Sequence, residues 1–208
     1  MHRRTTLKGL LALATLTASP LLFAQGQDYQ LVKPPQPGGA NGQIEVLEFA
    51  SFACVHCRRF APEISKWAAA QGKDVVFKKV PVSFGNPALQ ALTRMYYTLQ
   101  SMGLDEKLES SIFEAVQDRR LSLDKEAVRN DWLTKQGVDV KKFNDTWRTS
   151  FTVDSQTKRA EQLTLAYKIQ ATPTVTVNGK YLIEGAGPQT LTTMDRLIAQ
   201  ERSAQAKK

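Results

Sequence analysis

Val46-Leu47-Glu48-Phe49-Ala50-Ser51-Phe52-Ala53 runs straight into Cys54-Val55-His56-Cys57, which holds the only two cysteines in 208 residues. The apolar run predicts a strand. Phe60, Ile64 and Trp67 follow it at the spacing of one helix face. The cysteine pair therefore lies where a strand gives way to a helix. Cysteines so spaced can close a small disulfide, and the unpaired N–H groups of a helix start favour the thiolate of the first one. That combination makes a reactive, reversible disulfide. Three plainer readings stand beside it. The cysteines could be ordinary small core residues. They could form a static disulfide, although so small a loop removes little unfolded-state entropy. Or Cys54, His56 and Cys57 could bind a metal. Zinc sites usually draw four ligands from two clusters, whereas this chain has one cluster and its only other histidine is His2.

Outward from the pair, Ile44 to Phe49 shows little alternation and reads as a strand buried on both faces. The helix runs from Cys54 to about Gln71, with Pro62 expected to kink it and Gly72 to end it. Val75 to Val80 is a second strand. Strand, helix and strand with short links predict a right-handed βαβ unit with a parallel pair. Asn86-Pro87 then caps a different region. From Ala88 to about Thr152 the pattern is helical: Leu89, Leu92, Tyr96 and Leu99 make one stripe, and Leu104, Leu108 and Ile112 another. Asp124 reads as an N-cap ahead of Ala127, Val128, Trp132 and Leu133, and Phe143 and Trp147 mark a further helix. Val153 to Tyr167 is a long helical segment leading out. Thr174 to Val177 and Lys180 to Ile183 flank Asn178-Gly179, the strongest short hairpin signal. Leu191, Met194, Leu197 and Ile198 mark a closing helix, with a charged tail from Glu201 to Lys208 expected to fray.

The start of the chain is different in kind. Arg3, Arg4 and Lys8 precede a mostly apolar stretch, Leu10 to Phe23, too short to span a bilayer comfortably. This reads as an export signal cleaved after Ala24, with Leu22 where a small residue is preferred. Arg3-Arg4-Thr5-Thr6-Leu7-Lys8 also resembles a twin-arginine motif, with Thr6 where an aromatic is usual. The general secretory route is favoured, since paired arginines are common in ordinary signals. Export places the cysteines in an oxidising compartment, the periplasm. Removing residues 1–24 takes three of the 28 basic residues and leaves 25 against 20 acidic ones, so the formal charge falls from +8 to about +5. No nucleic-acid motif accompanies that charge, and it reads as a solvated basic surface. Gln25 to Asn41, with Pro34-Pro35-Gln36-Pro37-Gly38-Gly39, reads as an irregular extended arm.

The order βαβ, helices, β-hairpin, helix predicts an α/β fold with a four-stranded mixed sheet flanked by helices. It resembles a thioredoxin fold interrupted by an all-helical insertion: residues 25–86 and 153–208 form the thioredoxin-like part and 87–152 the insertion. Within that group the chain is similar to the bacterial DsbA family of thiol:disulfide interchange proteins, over nearly all of the mature chain. The residues that carry this are Val46-Leu47-Glu48-Phe49, Cys54-Val55-His56-Cys57, Ala171-Thr172-Pro173-Thr174 and Val177-Asn178-Gly179-Lys180-Tyr181.

The resemblance implies a role for each of these. Cys54 would be the exposed nucleophile and Cys57 its buried partner. His56 would stabilise the Cys54 thiolate. Thr172-Pro173, with a cis bond, would face the disulfide and, with Val55, meet the substrate. Glu48 would be a buried acid beneath the pair, with Lys79 its basic neighbour. Val55 stands where the family often has proline, a position that tunes the redox potential. The implied activity is that of an exported oxidase that donates its disulfide to unfolded exported proteins with free thiols. It would act as a monomer with no cofactor or metal beyond its own cysteine pair. A DsbB-like membrane oxidase would reoxidise it. An exported reductase or isomerase on the same fold is the alternative, and a non-enzymatic chaperone or metal carrier a more distant one.

Overall fold

A computed structural model describes residues 28–206. The expected export signal lies outside the described residues. The arm enters the sheet earlier than its composition suggests. Gln30–Leu31 forms a short strand, β1. A single 3-10 turn, Ala40–Gly42, follows it. Then come β2 (Ile44–Ala50), α1 (Val55–Ala69) and β3 (Val75–Pro81). Helices α2 (Pro87–Ser101), α3 (Asp105–Gln117), α4 (Glu126–Lys135), α5 (Val140–Thr149) and α6 (Phe151–Ala166) fill the middle of the chain. The chain closes with β4 (Thr174–Val177), β5 (Tyr181–Glu184) and α7 (Pro188–Gln205).

The sheet order is β1-β5-β4-β2-β3, five strands rather than the four expected. β2 and β3 are parallel, and the other pairs are antiparallel. The extra strand exists because the outer edge of β5 offers unpaired backbone groups. The arm satisfies them, and its hydrogen bonds continue beyond β1: Val32 N–H donates to the Lys180 carbonyl at 2.8 Å and Gln36 N–H to that of Gly179 at 2.9 Å. Two exposed residues carry no alternation for a sequence reading to detect.

Three further expectations move. α1 ends at Ala69 with Ala70 still right-handed, so Gly72 is not its cap. Asp124 does not cap α4. The N-cap position is Lys125, one residue on, and the Asp124 carboxylate lies 3.1 Å from the Lys125 ammonium. The buried Arg129 guanidinium takes the Leu123 and Asp124 carbonyls and sets where that helix begins. The charged tail does not fray through Glu201, which is 3 % exposed and bonded to the hairpin. Elsewhere the local signals hold. The Asn86 side chain accepts from Ala88 and Leu89 N–H, and Pro87 occupies the first turn of α2. Asn178 and Gly179 have φ of 48° and 72°, the left-handed pair that a tight hairpin turn requires.

The two faces of the sheet bury different partners. Ile44 and Val46 pack with Phe60, Ile64 and Trp67 of α1 and with Met194, Leu197 and Ile198 of α7. Leu47 and Phe49 point the other way, into a cluster that runs on through Phe52, Tyr96, Leu99, Phe113 and Trp132. The core of the helical region is thus continuous with that of the sheet.

Candidate active site

β2 leaves the sheet at Ala50, and Ser51-Phe52-Ala53 turns the chain so that Cys54 becomes the N-cap of α1. Cys54 N–H donates to the Ser51 carbonyl at 3.0 Å. The Cys54 sulfur then takes the place of a capping oxygen: Cys57 N–H donates to it at 3.4 Å. One turn further in, Cys57 is fully buried, and Ser51 N–H points at its sulfur from 3.5 Å. Cys54 is partly exposed, and both are free thiols in this structure.

A loop from the far end of the chain completes the site. The Cys54 thiol donates to the Thr172 carbonyl at 3.2 Å. The Thr172-Pro173 bond is cis, as expected, and Pro173 is buried at the start of β4. Two bonds hold the loop: Thr174 Oγ1 donates to the Ala171 carbonyl at 2.9 Å, and Gly185 N–H to that of Pro173 at 3.0 Å.

The two thiols are chemically unlike. Burial pushes the Cys54 thiol up, but the Cys57 N–H, the Thr172 side chain, the Cys57 thiol and the His56 N–H pull it further down. The result lies below the ordinary 9.0, as an N-terminal helix position favours. Burial dominates at Cys57 and pushes its thiol up to about 12. Val55 and His56 both face solvent on the first turn of α1.

Within the sheet the parallel register sets Glu48 directly beside Lys79. Lys78 turns away and pairs with Glu45 at 2.7 Å. The Lys79 ammonium lies 3.6 Å from Glu48 and hydrogen-bonds Glu109 of α3. Burial is the main reason that the Glu48 carboxyl rises from 4.5 to about 7, against the pull of Lys79. Among the described residues no group of three or more His, Cys, Asp and Glu side chains is placed to hold a metal ion.

Sequence reasoning missed three contributors. Glu109 is one. Gln117, at the end of α3, is another: its amide donates to the Phe52 carbonyl at 2.9 Å and to the Cys54 carbonyl at 3.1 Å, bracing the turn that carries Cys54. The third is a cleft of 540 Å3 in which Phe84, Leu165 and Ile169 line the wall together with Gln90, Glu161, Lys168 and Gln170. Phe84 and Leu165 are 49 % and 78 % exposed. Nothing in the sequence separates Glu109 or Gln117 from the other polar residues of an amphipathic helix.

A pair of unequal thiols at a helix start, faced by a cis-proline loop on a mixed sheet, is the working centre of a thioredoxin-fold thiol:disulfide oxidoreductase. Comparison with known proteins narrows the class. Residues 45–199 match the model of the DSBA-like thioredoxin domain. The thiol:disulfide interchange protein DsbA of Bordetella parapertussis is 38 % identical over 208 residues, covering 95 % of this chain and 98 % of the relative. That of Pseudomonas aeruginosa is 34 % identical, covering 99 % and 100 %. The crystal structure of Pseudomonas aeruginosa DsbA superposes with a TM-score of 0.81 at 35 % identity, covering 88 % of this chain and 96 % of that one. Reduced DsbA1 from Neisseria meningitidis gives 0.77 at 27 % identity, covering 91 % and 100 %. The chain belongs to the DsbA family.

Proposed function

We propose that this enzyme is an exported, periplasmic oxidase that donates the Cys54–Cys57 disulfide to newly exported proteins carrying free thiols. The observation that carries this reading is the split between the thiols: Cys54 accessible and held down, Cys57 buried and pushed up to about 12. A substrate thiolate attacks the Cys54 sulfur, the Cys54–Cys57 bond breaks, and its electron pair leaves on Cys57, which then takes a proton. A second substrate thiolate attacks the substrate sulfur of the mixed disulfide and displaces Cys54 as a thiolate. The substrate loses two electrons and the enzyme gains them. A membrane oxidase of the DsbB kind removes them again, and the cysteine pair is the only redox group required.

A stabilised Cys54 thiolate stabilises the reduced enzyme and makes its disulfide oxidising. The exposed His56 side chain on the same turn adds to that stabilisation. Glu48 supplies the proton for Cys57, since it lies on the sheet face that α1 covers and its carboxyl holds a proton near neutrality. The Thr172-Pro173 backbone edge pairs with an extended substrate through main-chain bonds, which makes recognition tolerant of sequence. Val55 flanks that edge, and the cleft beside Phe84 and Leu165 accepts the apolar side chains that an unfolded chain exposes. The test is the equilibrium of the purified enzyme with glutathione. A strongly oxidising potential is expected, and a value near that of thioredoxin, about −270 mV, would assign the enzyme to reduction instead.

A further inference from the structure

Glu48, Lys79 and Glu109 are three charges from three elements. β2 and β3 place the first two side by side on the sheet face that packs against α1, because Val46 and Phe77, two residues earlier on each strand, belong to that face. Glu109 reaches the same ammonium from α3. Lys79 is bonded to Glu109 and stands off from Glu48 at 3.6 Å. Glu48 is fully buried, and neither of its oxygens has a hydrogen-bond partner among the described residues. A buried carboxylate so placed is costly unless it is paired or takes up a proton. One cation cannot neutralise two carboxylates, so with Lys79 engaged by Glu109 the cluster is neutral only when Glu48 is protonated.

We propose that Glu109 is a positioning residue: by engaging Lys79 it leaves Glu48 as the odd carboxyl of the cluster and so keeps the proton on Glu48. The surroundings of Glu48 agree. On α2 the Tyr96 phenol is held above its ordinary range, chiefly by burial, and adds no compensating charge. On β4 the register partner is Val175, which is uncharged. Glu109 itself adds to the upward displacement of the Glu48 carboxyl, second to burial among the causes that raise it. A cleft of 500 Å3 opens on Lys79 and Glu109, with Lys78, Asp105 and Glu106 at its walls, while Glu48 lies outside that lining. Solvent thus reaches the lysine and the outer carboxylate, and protons exchange with Glu48 through them. On the proposed reading, a proton that Glu48 delivers to Cys57 of α1 is replaced along this route. The kinetic part of the inference rests on the proposed role of Glu48 toward Cys57; the titration part does not.

The test uses the reduced full-length mature protein with its glutamate side chains labelled with carbon-13, followed by NMR as pH is varied. Glu109→Gln keeps the shape and an acceptor for Lys79 but removes the competing charge. It should lower the Glu48 midpoint by at least one pH unit, and Glu109→Asp should restore much of the wild-type value. An unmoved Glu48 midpoint in a Glu109→Gln protein of wild-type circular dichroism would overturn the proposal. Glu109→Ala repeats the test should the amide variant fail to fold. The rate of thiol–disulfide exchange against pH is recorded alongside. Its profile should move with the midpoint; a moved midpoint with an unmoved profile supports Glu109 as the residue that sets Glu48 and sinks Glu48 as the proton source for Cys57.

Discussion

Two residues separate a partly exposed thiol from one that is fully covered. Cys54 caps the helix, so its sulfur meets both N–H groups and solvent, whereas Cys57 sits one turn inside and is fully covered. Exchange needs access for the incoming thiolate and a group to displace, and this geometry gives the two tasks to different cysteines. Cys57→Ala therefore removes the internal thiol that reverses the first step and leaves substrates held on Cys54. Cys54→Ala leaves a buried thiol pushed up to about 12 and nearly inert. Non-reducing gels of the exported variants should show many protein adducts for Cys57→Ala and few for Cys54→Ala, and equal adducts, or the reverse, would overturn Cys54 as the nucleophile. The cysteine pair was legible because it is a local pattern with a mechanical reason, whereas the Thr172-Pro173 loop was legible only through the resemblance to the family. Lys79 was reached only through the resemblance to the family, and it is the parallel register of the folded strands that sets it, rather than Lys78, against Glu48. Glu109 and Gln117 were not, because their partners lie 30 and more than 60 residues away along the chain and no periodicity encodes a contact between elements.

The elements show the same division between local rules and long-range contacts. The β4–β5 hairpin follows from Asn178-Gly179, whose backbone takes the two left-handed conformations in succession. The sequence does not reveal that the Asn178 side chain also accepts from Gly39 N–H at 3.1 Å and donates to Glu201 at 2.5 Å, tying the arm, the hairpin and α7 together. A side chain on Gly179 would fall 2.0 Å from the Gln36 carbonyl, so the arm passes where only glycine leaves room. Glu201 looked like part of a solvated tail by composition, yet it accepts from Asn178, Lys180 at 2.7 Å and Tyr181 at 3.3 Å. Burial raises its carboxyl, and the bonds from Lys180 and Asn178 more than offset that, so it lies below its ordinary value. A carboxyl held down adds stability that is present above its unfolded value of 4.5 and is lost as pH falls through the lower folded value. Glu201→Ala should cost about 2 kcal/mol at neutral pH, the range for hydrogen bonds to a charged group, discounted because the Lys180 side chain is half exposed. In a chain of this size that is a fall of about 6 °C in Tm. The deficit should shrink as pH is taken down through the acid range. A Tm equal to wild type at pH 7 would show that α7 is held by its apolar face alone.

Across the whole molecule one helix, α3, touches the redox centre at three places: Glu109 on Lys79, Gln117 on the Cys54 carbonyl, and Asp118, just past its end, in a bidentate pair with Arg58 of α1 at 2.6 and 2.7 Å. The helical region therefore packs directly on the elements that carry the cysteines, and on the proposed reading the global stability should report their redox state. A disulfide across two intervening residues closes so small a loop that its entropic contribution is only about 2 kcal/mol. Against it stands the Cys54 thiolate, which the folded chain stabilises and the disulfide form lacks. The thiol is held below its ordinary 9.0, so its contribution to the reduced fold is fully present above that value and is lost as pH falls through the lower folded value. Cys57 is raised to about 12, remains a thiol in folded and unfolded chains well below pH 9, and contributes nothing there. The proposed oxidase role requires the thiolate to outweigh the loop, so on that reading the reduced form should resist urea better than the oxidised form at pH 7, the reverse of most disulfide proteins. The gap should close, and then invert in favour of the oxidised form, as pH is lowered past the Cys54 value. Parallel urea melts of both forms at several pH values decide it. An oxidised form more stable at pH 7 would mean that the fold favours the disulfide, and an enzyme that favours its own disulfide cannot readily give it away.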